Sequence, residues 1–305
     1  MSRDFTPRDS EEVRRESPVR EHRPLESELV QLEMSRNPLR SPERERKTER
    51  PLEQARQVHI TRGRTALYDR DRGYRLRESE IRTIAELGKF RVIALEDLAQ
   101  HAYHGDRHEL ENDRQDLIRK GLLRQRTLEG PEATPRALLT LTPRGHRLLR
   151  ANRLLPASQA VYHGFVKPRE ANHDADLYRL YQKEAPCIEA KGGRNLRVIL
   201  DYELKRKINR DLATFGTQAR AEIAARHGLR VVHNKIPVPD LSIEYEDRDG
   251  EMARVHLELV TEHYRPRQVA EKVRAGFSLY TPHGETDRLR RVLDQHELTA
   301  DILSL

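Results

Sequence analysis

The order of elements spelled out by the apolar residues between Glu78 and Arg150 constrains this chain most. Ser79 stands where a cap would, ahead of Ile81, Ile84, Ala85 and Leu87. Their spacing is close to one helical turn, and Gly88 follows as a stop. After a short β-like segment at 91–93, Leu95, Leu98, Ala99 and Ala102 predict a second helix, with a turn at 104–106. A third helix is expected over 107–120, closed by Gly121, with Leu110, Leu117 and Ile118 as its buried stripe. On its other side His108, Asn112, Gln115 and Arg119 make one polar stripe. Residues of these types hydrogen-bond base edges and phosphates. Residues 122–128 and 136–142 then read as two strands joined by 129–135. Thr142 followed by Pro143 is a helix start.

Three helices followed by a hairpin is the order of a winged helix-turn-helix domain, expected at 77–150. In that arrangement the third helix enters the major groove of duplex DNA and the wing touches its backbone. The candidate DNA-binding residues are Arg107, His108, Asn112, Gln115, Arg119, Arg124, Arg126 and Arg136. The same topology also serves protein contacts, since fold does not fix function. Glu109, Glu111, Asp113 and Asp116 on the third helix favour that second reading, a non-enzymatic adaptor.

Composition adds modest weight to an anionic partner, with 57 basic against 50 acidic residues and a formal net charge of +7. A single cysteine, Cys187, allows neither a disulfide framework nor a cysteine-based zinc cluster, and it fits a reducing, cytoplasmic setting. It has no paired histidine nearby in sequence, which argues against a cysteine nucleophile. No apolar run approaches the roughly 18 residues of a membrane span, and the first residues hold no apolar signal core. Membrane association is therefore not expected. Tryptophan is absent, so stacking platforms for single strands are not advertised.

Residues 1–75 read differently. Six prolines fall between Pro7 and Pro51, and Arg and Glu dominate with few apolar residues. Such a stretch is expected to stay disordered, apart from a short helix near Glu26–Met34. Its last part, 61–77, is more basic and carries two tyrosines, suiting a short arm that touches DNA or a partner.

After a junction around Pro156, a second region at 160–290 mixes the two periods. Helices are expected at 172–185, 211–228 and 266–280, the last on Val269, Val273, Phe277 and Tyr280. Strands are expected within 195–207 and 250–264, and at 229–232 and 239–247. Alternation puts Asp240, Ser242 and Glu244 on one face of their strand, and His256 and Glu258 on one face of the next. Paired as a hairpin, the two strands bring Asp240 and Glu258 to the same side, where two carboxylates can hold Mg²⁺ or Mn²⁺. The simplest alternative is a pair of half-exposed sheet carboxylates. His173, near Asp174 and Asp176, is a further candidate ligand or a capping residue, and Asp201 and Glu203 read as solvated charges.

Pro239–Asp240 followed by Glu258–Leu259–Val260 resembles the PD-(D/E)xK nuclease motif. The resemblance implies Asp240 and Glu258 as metal ligands. Val260 occupies the position of the catalytic lysine, and Lys272 on the following helix is the residue that would replace it. The whole arrangement resembles the replication-relaxation family of plasmids and mobile elements: a winged helix, then HDADLY (173–178), PDLSIEYED (239–247), HLELVTEHY (256–264) and a helix with a lysine. That resemblance covers 77–282. It implies an α+β chain in which a restriction-endonuclease-like, degenerate domain follows the winged helix. It also implies duplex DNA and replication or mobilisation proteins as partners. Metal-dependent DNA cleavage is the enzymatic alternative.

Overall fold

The computed structural model describes residues 60–61, 63–70, 72–128, 135–261, 264–281, 286–295 and 302–305. The expected helix near Glu26–Met34, most of the expected disordered arm and most of the loop joining the wing strands lie outside them. The fold is α+β.

Alternation governs the first described segment. Strands β1 (Ile60–Thr61), β2 (Arg64–Asp69) and β3 (Arg72–Arg77) form an antiparallel sheet, with Leu67 opposite Tyr74 and Thr65 opposite Leu76. Leu67, Tyr74 and Leu76 are buried. The expectation of disorder up to residue 75 is therefore corrected from residue 60 onward. The hairpin has too few apolar residues for a core of its own, and it completes one with partners distant in sequence.

Helix α1 (Glu78–Lys89) begins directly after β3. Its first turn is closed by the Glu80 carboxylate, which accepts from Arg77 N at 2.7 Å. Ser79 lies buried inside the helix and is not its cap. Gly88 does not end it either, but gives Leu149 room to approach. Next come β4 (Ile93–Ala94), α2 (Leu95–Ala102) and α3 (Arg107–Arg119). Asp106 caps α3 by accepting from Glu109 N at 2.9 Å, and the left-handed Gly121 (φ 70°) closes it. Strands β5 (Leu123–Leu128) and β6 (Arg136–Leu141) pair antiparallel, and β4 joins the other edge of β6. Thr142 then caps α4 (Pro143–Ala151), accepting from Gly145 N at 3.1 Å. Gly145 is required there, because a side chain would collide with the Leu122 carbonyl.

A long helix, α5 (Pro168–Ala190), precedes β7 (Arg194–Leu200). It is followed by α6 (Asp201–Phe215), a 3₁₀ turn at 217–219 and α7 (Arg220–Arg226). Strands β8 (Leu241–Glu246) and β9 (Met252–Leu259) lead into α8 (Pro266–Arg274), β10 (Ser278–Thr281), α9 (Thr286–Gln295) and β11 (Ile302–Ser304). The described sheet runs β11-β10-β9-β8-β7. Its β7–β8–β9 part is an antiparallel meander, and α8 crosses over to place β10 parallel to β9.

Three expectations fail here for local reasons. The helix at 211–228 is interrupted at Gly216 (φ 79°). The strand at 229–232 is reduced to one bridge, Val232 to Lys235, since among the described residues no sheet strand pairs with it. The helix at 266–280 stops at Arg274. Gly276 (φ 84°) turns the chain, and Tyr280 belongs to β10.

The regions before and after the junction share one hydrophobic core that includes Leu67, Phe90, Leu141, Tyr178 and Leu257. The Phe90 ring meets Tyr178 edge-on at 5.3 Å and Tyr181 at 5.6 Å. The junction is bonded along its length. Tyr162 N donates to Gly88 O, Gly164 N to Leu141 O, and the buried Gln159 amide exchanges two hydrogen bonds with the Val198 backbone.

Candidate nucleic-acid interface and a closed carboxylate cluster

Of the residues on α3, Arg107, His108, Asn112, Gln115 and Arg119 are exposed, and the last four form the stripe expected from spacing. Asn112 Nδ2 lies 3.2 Å from His108 Nε2, and Gln115 donates to Glu111 at 2.6 Å.

The acidic residues of the same helix are largely answered by cations. Asp113 is fully buried, 3.0 Å from an Arg77 guanidinium nitrogen and accepting from the Tyr103 hydroxyl. Asp116 meets Arg119 at 2.8 Å and Arg77 at 3.2 Å, with Lys120 and Arg64 at 3.7 and 3.9 Å. Burial opposes its ionisation, yet Lys120, Arg77 and Arg119 hold its carboxyl below the usual range. Glu111 is held low by hydrogen bonds from Arg114 and Gln115. The acids therefore present less negative charge to solvent than their number suggests.

On the hairpin, Arg124, Gln125, Arg126 and Thr127 are exposed. Gln125 accepts from Arg114 of α3, which locks the strand to the helix. Arg126 faces the opposite side of β5, its guanidinium 4.8 Å from the centre of the Phe165 ring. Arg136 is not part of the exposed surface. It bridges Asp97 of α2 (2.9 Å) and Asp176 of α5 (2.8 Å), while Arg179 grips Asp97 from the other side. Its assignment to DNA is corrected: two partners distant in sequence make it a structural link. Arg144 and Arg147, overlooked in the sequence, line an open cleft of about 490 Å³ with Arg124, Thr142 and Ile118. Their place in the first turns of α4, after the Thr142–Pro143 start, was the available signal.

The β8–β9 register sets Ser242 opposite His256 and Leu241 opposite Leu257, so Asp240 and Glu258 meet at the strand end as expected. Asp240 N donates to Glu258 Oε2 at 3.2 Å, and Asp240 Oδ2 accepts from Leu259 N at 3.0 Å. Glu258 has no exposed surface. Its Oε1 lies 2.5 Å from Lys272 Nζ and accepts from the Tyr264 hydroxyl at 2.8 Å. Burial, then the charge of Asp240, raises the Glu258 carboxyl to about 7 against the pull of Lys272 and Tyr264. Lys272 also donates to Val238 O at 2.7 Å. His173 of α5 closes the other side, with Nε2 3.3 Å from Asp240 and Nδ1 3.6 Å from Asp174. Burial disfavours its charge, but Asp174 and Asp240 more than compensate and lift it to about 10. Asp174 in turn pairs with Arg91 at 2.9 Å.

Lys272 and His173 thus take up carboxylate oxygens of Glu258 and Asp240. Among the described residues no group of three or more His, Cys, Asp or Glu side chains is arranged to hold a metal. A divalent cation at Asp240 and Glu258 would have to displace the Lys272 ammonium from Glu258 and the His173 ring from Asp240. Glu203, expected to be solvated, is buried and gathers Arg197 and Lys207, each at 2.6 Å. Cys187 is exposed and unbridged. Among the described residues no helix is long and apolar enough to cross a membrane.

No family model, no curated protein and no solved structure matches this chain.

Proposed function

We propose that this protein binds double-stranded DNA through α3 and the β5–β6 hairpin in the manner of a winged helix. The observation that carries the reading is the α3 stripe. His108, Asn112, Gln115 and Arg119 are all exposed, while Asp113 is buried against Arg77 and Glu111 and Asp116 are paired with Arg114 and Arg119, leaving Glu109 as the acid of the helix without a cation beside it among the described residues. Amides and a guanidinium are suited to base edges, and Arg124 and Arg144 beside the helix end are suited to phosphates. The sheet region serves in this reading as a restriction-endonuclease-like scaffold without catalysis, supported by its meander, its crossover to a parallel strand and its locked carboxylates. The replication-relaxation resemblance supplies the setting: replication, mobilisation or their control on a plasmid or mobile element.

A mobility-shift titration of the full chain against duplex DNA over a range of salt concentrations tests this. Affinity is expected to fall steeply with salt. Arg119→Ala should weaken binding by about 1–3 kcal/mol. Absence of any salt-sensitive binding sinks the reading.

One observation favours a second reading, metal-dependent DNA cleavage: Lys272 reaches Glu258 from α8, as a relocated motif lysine would. Incubation with supercoiled plasmid and Mn²⁺ decides it. Nicking abolished by both Asp240→Ala and Glu258→Ala would establish it, and intact plasmid excludes it.

A further inference from the structure

We propose that the tight turn at Val232–Lys235, with the arginines that hold it, seats phosphates of duplex DNA at a place separate from α3. The proposal shares only the class of ligand with the reading above. The net charge of the chain is concentrated here. Between Glu203 and Asp240 stand eight Lys and Arg against two acids, Asp211 and Glu222, whereas the rest of the chain holds 49 against 48. Those two acids are engaged: Asp211 meets His227 at 2.8 Å, and Glu222 meets Arg226 at 3.1 Å. Lys205 and Lys207 turn back to Asp201 and Glu203. From Ile223 to Pro239 the sequence has no acid at all.

Direct contacts gather four cations at this turn. Val232 and Lys235 exchange both backbone hydrogen bonds, at 2.8 and 2.9 Å, and His233 (φ 46°) and Asn234 (φ 59°) between them are left-handed. That is the geometry of the two-residue hairpin turn that usually takes Asn-Gly. Here each turn residue is gripped from another element. Arg220 of α7 donates to Asn234 Oδ1 at 2.6 Å. Arg274, at the end of α8, lies 3.1 Å from His233 Nε2, which accepts because a guanidinium only donates. Arg230 reaches across Gly276, its Nη1 3.9 Å from where a side chain there would begin. Arg230, His233, Asn234, Lys235 and Arg274 are exposed. The acid one turn back on α8, Glu271, is engaged by Arg267. Each turn-holding guanidinium has further N–H donors for an anion. Cations brought together without an acid among them raise the local potential, and an anion relieves it. In so open a place a lone phosphate gains little. A polyanion gains more, because each phosphate contact releases counterions. Val198 of β7 faces the core under α5, which packs on β4 and β6, whereas its neighbour Ile199 faces α6, α7 and Val232. The turn thus lies on the sheet face directed away from α5, and its contribution to affinity should add to that of α3.

The test uses the full chain and a labelled mixed-sequence duplex, with affinity measured against salt. The triple variant Arg230→Gln, Lys235→Gln, Arg274→Gln should flatten the slope of log K against log salt by about 2–3, since each lost phosphate contact removes about 0.9. Should it melt below the parent, Arg230→Gln with Lys235→Gln leaves both grips on the turn in place and should flatten the slope by about 1–2. The control Lys191→Gln, Arg194→Gln, Arg248→Gln removes the same charge at the far end of the sheet and should keep the parental slope. A parental slope in the turn variants, with Asn112→Ala and Arg119→Ala still weakening binding, overturns the turn contact and leaves α3 standing. The converse pattern supports the turn and sinks α3. An equal loss in the control overturns the turn contact, because total charge is then the agent. Inorganic phosphate that raises the melting midpoint of the parent but not of the triple variant, against chloride at equal ionic strength, overturns it too, in favour of a small-anion site. No salt-sensitive binding by the parent chain removes both contacts.

Discussion

A carboxylate without exposed surface, such as Glu258, persists only where its charge is answered. Lys272 answers it, and Lys272→Met should cost about 3–5 kcal/mol in a urea titration by stranding a buried acid. Adding Glu258→Gln to that variant should recover much of the loss, because a neutral amide needs no cation. An undiminished midpoint for Lys272→Met would show that the pair is not a stabilising feature. His173 offers a pH test. Its folded value of about 10 lies above its ordinary 6.5, so the folded chain holds the proton more tightly than the unfolded one. The stability it contributes is complete below about 6.5 and is lost as pH rises through about 10. The gap in unfolding midpoint between the parent and His173→Gln should therefore narrow between those values. A gap independent of pH would mean that the imidazole is not charged in the fold.

Two arginines of similar sequence appearance separate at the level of elements. Arg119 stands exposed on α3, whereas Arg136 ties β6 to α2 and α5. Arg136→Ala should lower the unfolding midpoint, leaving Asp97 and Asp176 short of a partner, while the salt dependence of DNA binding stays parental. Arg119→Ala should do the reverse. The contrast also shows what a sequence exposes. The α3 stripe, the Thr142 cap and the meeting of Asp240 with Glu258 all follow from local periods of a helix or a strand. The partners of Arg136 lie 39 and 40 residues away, and spacing carries no trace of them. The β2–β3 hairpin escaped notice for a related reason, since it packs on α4, with Tyr68 bonded 84 residues along the chain at Asn152. In the β10 region, Phe277 and Tyr280 continued the helical spacing of Val269 and Val273. Only the backbone turn at Gly276 reveals that α8 has already ended.

For the whole molecule, the shared core makes the two regions interdependent. Phe90→Ala should remove about 3–5 kcal/mol. Because Phe90 touches Tyr178 and Tyr181 across the junction, amides in β5 and in β8 should lose hydrogen-exchange protection together. Protection lost in β5 alone would show that the regions unfold separately.

The bonded junction has a further consequence. Gln159, Tyr162 and Gly164 leave no slack between α3 and the sheet, so the two are joined by a ruler and not a tether. With a flexible link, a ligand held at one surface would sample the other at a concentration set by linker length. Here the separation and angle are preset. A ligand seated on α3 is therefore held in one orientation to the sheet.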